Sequence, residues 1–278
     1  MSFLFMQRAA LLYRYVNLLS LDVAGGAAIS ALFFAEAFNV EVYPQGICLL
    51  ALAVWMVYTV DHLLDAKRVL HVAASPRHQF HQQHFKTLLW CVVAVALLCL
   101  VLMLFVRPSI VQAGFVFSAG VALYLLVSHR LVGAKEWVGG LFYAGGVMLP
   151  VWVVRQANFS WGELVLMAQF LGVVWINLVL FAWFSYKEDR TDKLQSLVTA
   201  IGLKKSKMVL VALFSVQALL LCGPIGFGSE RWIMAAMTGV LAVLFMKPVY
   251  FARQEKFRWL GDGIFFLPLI YLLIKAIG

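Results

Sequence analysis

The chain has 278 residues, of which 64% are hydrophobic and only 13% are charged, and its mean hydropathy is +0.92. A soluble domain is about 45–50% apolar and about 25% charged. This composition excludes an ordinary soluble domain and indicates a polytopic helical membrane protein, without a separate soluble domain.

Nine apolar segments approach the length of about 20 residues that a helix needs to cross a bilayer. The segments are 17–38, 44–63, 87–106, 110–128, 138–154, 164–185, 208–226, 232–250 and 259–276. We therefore expect an all-α bundle of about nine transmembrane helices in one domain, 1–278. Two four-span halves, 17–128 and 138–250, each carry acidic residues at the end of the second helix, which suggests a weak internal repeat before the final helix, 259–276.

The basic residues support this number of spans. With a cytoplasmic N-terminus, 18 of the 22 Lys and Arg residues fall in inner segments and four fall in outer ones. Inner loops of membrane proteins carry such an excess. We therefore expect the N-terminus on the cytoplasmic side. Most of the net charge of +9 would then face the cytoplasmic surface, where the lipids are anionic. The charge therefore requires no nucleic-acid partner.

An acidic pair lies at the end of the second apolar segment. Asp61 and Asp65 are four residues apart, so their Cβ atoms lie about 5–6 Å apart on one helical face. In a lipid-facing position each acid would cost at least ~2.5–3.5 kcal/mol at the membrane centre. Packing does not explain such a pair, and a divalent cation is its expected partner.

A second acidic cluster, within 186–192, follows the sixth apolar segment and lies on the same predicted side of the membrane. Mg²⁺ takes one or two carboxylates together with waters and phosphate oxygens. Basic residues near both clusters suit the remaining phosphate charge, namely Lys67, Arg68, Arg130, Lys135, Lys187 and Arg190. Carboxylates, a metal ion and surplus cations at a membrane face predict a site for a diphosphate with an apolar tail.

Two further acids lie inside apolar segments, Asp22 in the first and Asp262 in the last. Acids within spans usually pair with another group. Arg258 is close enough in sequence to pair with Asp262, and both acids are candidates for lining the site or relaying protons.

The two acidic clusters resemble those of the UbiA-type intramembrane prenyltransferase superfamily, and the resemblance covers essentially the whole chain. That family has nine helices around a central apolar cavity, with the motif Asn-Asp-x-x-Asp-x-x-x-Asp after helix two and Asp-x-x-x-Asp after helix six. Asp61 and Asp65 match the last two acids of the first motif. Ser196 and Gly202 match the Ser/Thr and Gly that follow the second motif, which makes Asp189 its final acid.

The chain departs from both motifs. The leading Asn-Asp of the first motif falls on Val57-Tyr58, and the first acid of the second motif falls on Ser185. The family also has an Asn ahead of the second motif, at the place of Phe181, and Asn177 lies one turn before that place. The chain therefore looks like a divergent branch. The predicted pocket residues, which include two candidate substitutes for the missing acids, are Tyr58, Asn177, Ser185, Glu188 and Asp192.

The resemblance implies transfer of an isoprenyl chain from a prenyl diphosphate to a lipophilic acceptor, which is an aromatic ring in most members. It also implies that Mg²⁺, held by Asp61, Asp65 and Asp189, neutralises the departing diphosphate as a Lewis acid and template. The nearby Lys and Arg side chains would stabilise the charge that builds on the leaving oxygen. These three aspartates are thus the predicted catalytic and metal-binding residues.

Other function classes stay open. A transporter would also carry intramembrane acids, but with helices broken near mid-membrane. A catalytically inactive UbiA-like protein agrees with the incomplete motifs. A metal-dependent hydroxylase would use a histidine cluster such as His78, His81 and His84, but these enzymes use more than the six histidines of this chain. The spacing of the trio favours a solvated or membrane-surface amphipathic segment, and we expect a surface loop or a loop that contacts the diphosphate.

Overall fold

The computed structural model describes residues 12–155, 158–223, 228 and 230–277. These ranges contain helices and turns and no strand. The α-helices are α1 (Leu12–Leu18), α2 (Leu21–Ala37), α3 (Pro44–Arg68), α4 (Pro76–Gln83), α5 (Phe85–Met103), α6 (Pro108–Val127), α7 (Lys135–Val154), α8 (Trp161–Phe184), α9 (Tyr186–Thr191), α10 (Leu197–Ile201), α11 (Leu203–Cys222), α12 (Glu230–Met246), α13 (Pro248–Ala252), α14 (Lys256–Gly263) and α15 (Pro268–Ile277). Short 3₁₀ turns occupy Ser128–Arg130, Arg253–Glu255 and Ile264–Phe266.

The long helices account for the predicted spans. Seven described helical segments are long and apolar enough to cross a membrane, or eight if the bent pair α1–α2 is one span. α12 has 17 residues and is therefore about 25 Å long, close to the ~30 Å hydrocarbon thickness. The prediction of an all-α bundle of about nine helices is confirmed. Residues 224–226 of the predicted span 208–226, and Arg8 among the predicted inner cations, lie outside the described residues.

α8 lies at the centre of the bundle, where it packs against α7, α10, α11, α12 and α14. Its sequence is apolar on every face, which is the pattern of a helix buried inside a bundle. Accordingly Phe170, Val173, Ile176, Val179 and Leu180 are fully buried. α5 and α6 instead expose large apolar side chains such as Trp90 and Val116 on the outer surface, as helices do that face lipid.

The first span is broken near its start. α1 and α2 meet at an angle of 76°, and Ser20 at the junction adopts a left-handed conformation with φ of 54°. The predicted continuous helix over 17–38 is therefore wrong in its first turn. The break turns Asn17 toward the interior, where it contacts Asp22. In a straight helix, residues five apart lie on different faces, so Asn17 and Asp22 would not form this hydrogen bond.

Three helix ends meet at one end of the bundle, which we call the basic end. Lys135, at the N-terminus of α7, contacts Asp65 near the C-terminus of α3, and both residues line a pocket together with Asp192, which follows α9. Arg107 and Arg155 lie at the opposite end, over the rings of Tyr43 and Phe159. Both acidic clusters thus lie at the same end of the fold.

Close packing of α2 against the last span predicts a specific loss of stability. A Cβ atom added at Gly26 would lie 2.6 Å from the Phe265 Cβ, so Gly26→Ala should lower the free energy of unfolding by about 1–3 kcal/mol through overpacking. The matched control is Gly239→Ala in α12, where no atom lies within 4 Å of the added Cβ. Because alanine favours a helix by ~1 kcal/mol over glycine, the control should not be destabilised. Unfolding of the purified variants in detergent measures both values, and equal stabilities would contradict this packing.

Candidate functional site

The acidic pair of α3 has a basic partner within the protein. The Lys135 Nζ lies 2.8 Å from the Asp65 Oδ2 and 3.7 Å from the Asp61 Oδ2. Arg68 contacts the other oxygen of Asp65, with 2.9 Å between its guanidinium nitrogen and Oδ1. The pair therefore shares one face, as predicted, but the nearest positive group is an ammonium ion from the first residue of α7.

The acidic pair has one carboxylate oxygen that could bind a metal ion. The Oδ1 atom of Asp61 is buried and accepts no hydrogen bond, whereas both oxygens of Asp65 are engaged. Mg²⁺ needs only one or two carboxylates, and the free oxygen makes Asp61 the carboxylate of this pair that could hold such an ion. Among the described residues, no three His, Cys, Asp or Glu side chains are arranged as a metal ligand set. The site formed by Asp61, Asp65 and Asp189 therefore stays a prediction.

Asp189 lies on the short helix α9, beyond the end of α8. Burial raises the pKa of its carboxyl to about 7, while the positive charges of Arg258 and Lys135 act in the opposite direction. The negative charges of Glu136 and Asp65 add to the upward shift. Because Lys135 and Asp65 act on Asp189 in this way, the second acidic cluster faces the same region of the basic end as the first.

Ser185 connects α8 to α9 at the place of the first motif-two acid. Its hydroxyl oxygen accepts a hydrogen bond of 3.0 Å from an Arg258 guanidinium nitrogen. The Nε atom of Arg258 donates to Glu255 at 3.0 Å, and the guanidinium lies 5.1 Å from the centre of the Phe257 ring. The basic side chain of Arg258 thus lies beside Ser185, the position where the family motif has an acid.

A second buried polar cluster joins distant parts of the chain. The Asn17 amide donates to Asp22 at 2.6 Å and to Asp262 at 2.9 Å. Arg77 donates to the side-chain and main-chain oxygens of Asn17 at 2.9 and 3.1 Å, and its guanidinium lies 3.9 Å from Asp262. The expected pairing of Asp262 with Arg258 is therefore wrong, because α4 turns inward and places Arg77 beside Asp262.

The histidines of α4 differ from the sequence-based expectation. Ser75 accepts a hydrogen bond from the His78 main-chain N–H at the start of α4, and the helix then faces the interior. His81 is 1% exposed, and its Nδ1 donates to the Arg77 carbonyl at 2.8 Å. Burial lowers the pKa of His81, and it lowers the pKa of His78 to about 4, so both are neutral at pH 7. The interpretation of this trio as a surface segment is wrong, and only His84 is exposed.

Asp192 has a structural partner. Its two carboxylate oxygens accept hydrogen bonds from the Ala74 main-chain N–H at 2.9 and 3.0 Å, and His71 contacts it at 3.1 Å. Asp192 therefore holds the segment before α4. Beside it opens a pocket of about 420 Å³, whose polar lining includes Asp65, Arg68, His71, His129, Lys135 and Asp192.

The predicted phosphate-binding cations divide into two groups. Arg68 and Lys135 contact the acidic pair. The other four are exposed and form no ion pair with Asp61, Asp65 or Asp189 within the described part of the chain. These exposed residues are Lys67, Arg130, Lys187 and Arg190. The structure thus brings two of the six predicted cations to the carboxylates.

The remaining predicted pocket residues lie in the interior. The Tyr58 ring is half-buried and contacts the Tyr143 ring at 6.2 Å between centroids. Asn177 is buried against Gly261, and its Oδ1 accepts no hydrogen bond. The Oε2 of Glu188 is also buried without a donor. These two oxygens are free acceptors near the end of α8.

Ser196 and Gly202 have local roles in the backbone. Ser196 caps α10 through reciprocal hydrogen bonds with Thr199, and the Leu197 N–H donates to both oxygens of Glu136 at 2.9 Å. Gly202 has a φ of +82°, a conformation that glycine adopts without strain, and it separates α10 from α11. These residues position the helices and do not contact the acidic pair.

Comparison with known proteins establishes the fold. No family model and no curated protein matches the sequence, but solved structures match the whole architecture. A UbiA homolog from Aeropyrum pernix K1 has a TM-score of 0.66 at 15% identity, covering 94% of this chain and 98% of that one. The chain has the UbiA-type fold.

Two further structures share this UbiA-type fold. A digeranylgeranylglyceryl phosphate synthase has a TM-score of 0.57 at 16% identity, over 96% of this chain and 98% of that one. A UbiA homolog from Archaeoglobus fulgidus bound to DMAPP and Mg²⁺ has a TM-score of 0.59 at 11% identity, over 92% and 98%. The fold predicted from the two acidic motifs is confirmed.

The position of Lys135 predicts a coupled effect on stability. Lys135→Met leaves two largely buried carboxylates without their ammonium partner, which should lower the free energy of unfolding by about 3–5 kcal/mol. Adding Asp65→Asn should recover a large part of the loss, because it removes one of the uncompensated charges. Unfolding of the single and double variants in detergent measures this coupling.

Lys67→Met is the matched control for Lys135→Met, since Lys67 is exposed and lies near the C-terminal end of α3, the end that carries Asp61 and Asp65. Its change should stay within about 0.5 kcal/mol of zero. A loss at Lys135 no larger than at Lys67, or no recovery in the double variant, would show that the ammonium group does not compensate the acidic pair.

Proposed function

We propose that this protein is a membrane-embedded prenyltransferase that moves an isoprenyl group from a prenyl diphosphate to a lipophilic, aromatic acceptor. The observation that carries the proposal is the contact of Lys135 with Asp61 and Asp65 beside a pocket that residues 192–195, just after Asp189, also line, at one end of a UbiA-type fold. Similar solved structures are described as bound to DMAPP or GPP with Mg²⁺. The sidedness predicted from the basic residues would place this site at the cytoplasmic face.

Mg²⁺ is the proposed cofactor. Asp61, Asp65 and Asp189 would hold it, and the free Oδ1 of Asp61 supports this assignment. When bound, the ion would neutralise charge on the departing diphosphate. Lys135 and Arg68 already lie beside the acidic pair, so their N–H groups can bind diphosphate oxygens through charge-assisted hydrogen bonds.

Aromatic side chains support the apolar half of the reaction. Tyr143 contacts Phe265 at 5.3 Å between ring centroids, and Phe170 contacts both Phe265 at 6.0 Å and Phe34 at 5.1 Å. Tyr58 joins this set through Tyr143. Loss of diphosphate leaves an allylic cation on the isoprenyl chain, and these rings would exclude water from it.

A direct assay tests the proposal. The purified protein, with Mg²⁺, labelled farnesyl or geranylgeranyl diphosphate and a lipid extract, should release diphosphate and form a prenylated lipid. Asp61→Asn should lower the rate by about 10²–10³-fold, the range for removal of one group that stabilises transition-state charge. Glu41→Gln, an exposed acid before α3 at the other end of the bundle, is the control and should keep the wild-type rate.

One result would oppose a transferase, and another would oppose only the assignment of the acidic pair to the site. If the wild-type protein neither binds nor cleaves either diphosphate and Asp61→Asn behaves identically, the chain is a catalytically inactive UbiA-like protein. If it cleaves diphosphate equally well with Asp61→Asn, the acidic pair is not part of the site.

The geometry gives less support to a transporter. Transporter sites lie near mid-membrane, between broken helices. The break between α1 and α2 precedes a helix of 17 residues, which covers about 25 Å. The break therefore lies near the basic end of the bundle, away from its middle.

A further inference from the structure

Ser185 is the starting point for an inference that rests on the proposed function. Its hydroxyl is buried, and it accepts a hydrogen bond from Arg258. Mg²⁺ prefers carboxylate, phosphate and water oxygens. A neutral hydroxyl that already binds a guanidinium is a poor ligand, and the positive charge 3.0 Å away repels a second cation. The Ser185 position itself therefore favours an anion over a divalent ion.

Arg258 is held in place from several sides. Glu255 accepts from its Nε, and the rings of Phe257 and Phe181 lie 5.1 and 5.7 Å from the guanidinium carbon. Its side chain is only 12% exposed. The side chain is thus fixed before any ligand arrives, which reduces the entropy lost on binding.

The Arg258 guanidinium keeps hydrogen-bonding capacity. It carries five N–H groups, of which the described contacts to Ser185 and Glu255 use two. It donates to the hydroxyl of Ser185, whose main-chain carbonyl accepts a hydrogen bond of 2.9 Å from the Asp189 N–H, so it lies beside the second acidic cluster. Arginine binds phosphate oxygens in a bidentate manner, and the remaining N–H groups suffice for that.

We propose that Arg258 binds the diphosphate and supplies, beside Ser185, the positive charge that a divalent ion bound to an acid at this motif position would supply. The site then holds one divalent ion, at Asp61, Asp65 and Asp189, and the guanidinium of Arg258 neutralises the other part of the diphosphate.

Metal stoichiometry tests this assignment. The full-length protein in detergent is titrated with Mn²⁺ in the presence of inorganic pyrophosphate, and electron paramagnetic resonance counts the bound ions. One Mn²⁺ per chain is expected. Arg258→Met should weaken pyrophosphate binding at least tenfold at an unchanged Mn²⁺ count. The matched control, Arg253→Met, removes an exposed arginine from the same connection and should leave affinity and count unchanged.

A charge exchange gives a second readout. The double variant Ser185→Asp/Arg258→Met replaces the guanidinium by a carboxylate at the motif position. It should bind two Mn²⁺ ions per chain with pyrophosphate and regain affinity that Arg258→Met lost. If Arg258→Met does not fold, Arg258→Lys keeps the charge without the bidentate fork and should bind pyrophosphate more weakly than wild type.

The outcomes separate this inference from the transferase proposal. A Mn²⁺ count other than one in the wild type, or full pyrophosphate affinity in both Arg258 variants, overturns the role of Arg258 and leaves the transferase intact. Failure of the double variant to gain an ion overturns the exchange of a metal for Arg258. A wild-type protein that binds no pyrophosphate, with or without Mn²⁺, overturns both proposals.

Discussion

Charge buried in an apolar bundle needs an opposite charge within a few ångströms. The contact of Lys135 with Asp61 and Asp65 meets this requirement for two carboxylates at once. In lipid the hydrophobic effect does not hold helices together, so packing and polar contacts do. The Lys135 contact ties α7 to α3 across 70 positions of sequence. The cluster of Asn17, Asp262 and Arg77 ties the first and last spans across 245 positions. Both clusters stabilise the bundle near its basic end, and one of them also forms the candidate site.

The two clusters differ in what they leave unsatisfied. Around Asn17, the buried amide hydrogen-bonds to the carboxylates of Asp22 and Asp262. Within the described part of the chain, the Nε of Arg77 is the atom of this cluster that has no partner. Around Lys135 a buried oxygen of Asp61 remains without a donor, and a pocket opens beside Asp65. Buried polar groups are normally satisfied, and an exception calls for an explanation such as an ion or a ligand. This contrast favours a mainly structural role for the first cluster and supports the proposed binding role of the second.

Much of the fold could be predicted because membrane-spanning helices can be identified from short stretches of sequence alone. Apolar length marks the spans, and the interval of four residues places Asp61 and Asp65 on one face whatever surrounds them. The inward turn of α4 was not predictable in this way, since Arg77 and His81 look polar in sequence and are buried only because Asn17, Asp262 and His62 lie nearby. The same holds for Asp192, whose partner Ala74 offers only a main-chain N–H. The relation between the two proposed halves of the chain stays a prediction.

Ser196 and Gly202 show what a sequence motif can record. Ser196 caps α10, and Gly202 permits the positive φ at the turn into α11. Both residues therefore determine the local backbone conformation, and neither contacts the acidic pair. A protein could keep them after its chemistry had changed or ceased. In this chain the Ser and Gly after the second motif therefore report the architecture, whereas the proposals about its use depend on Asp61, Ser185 and Arg258.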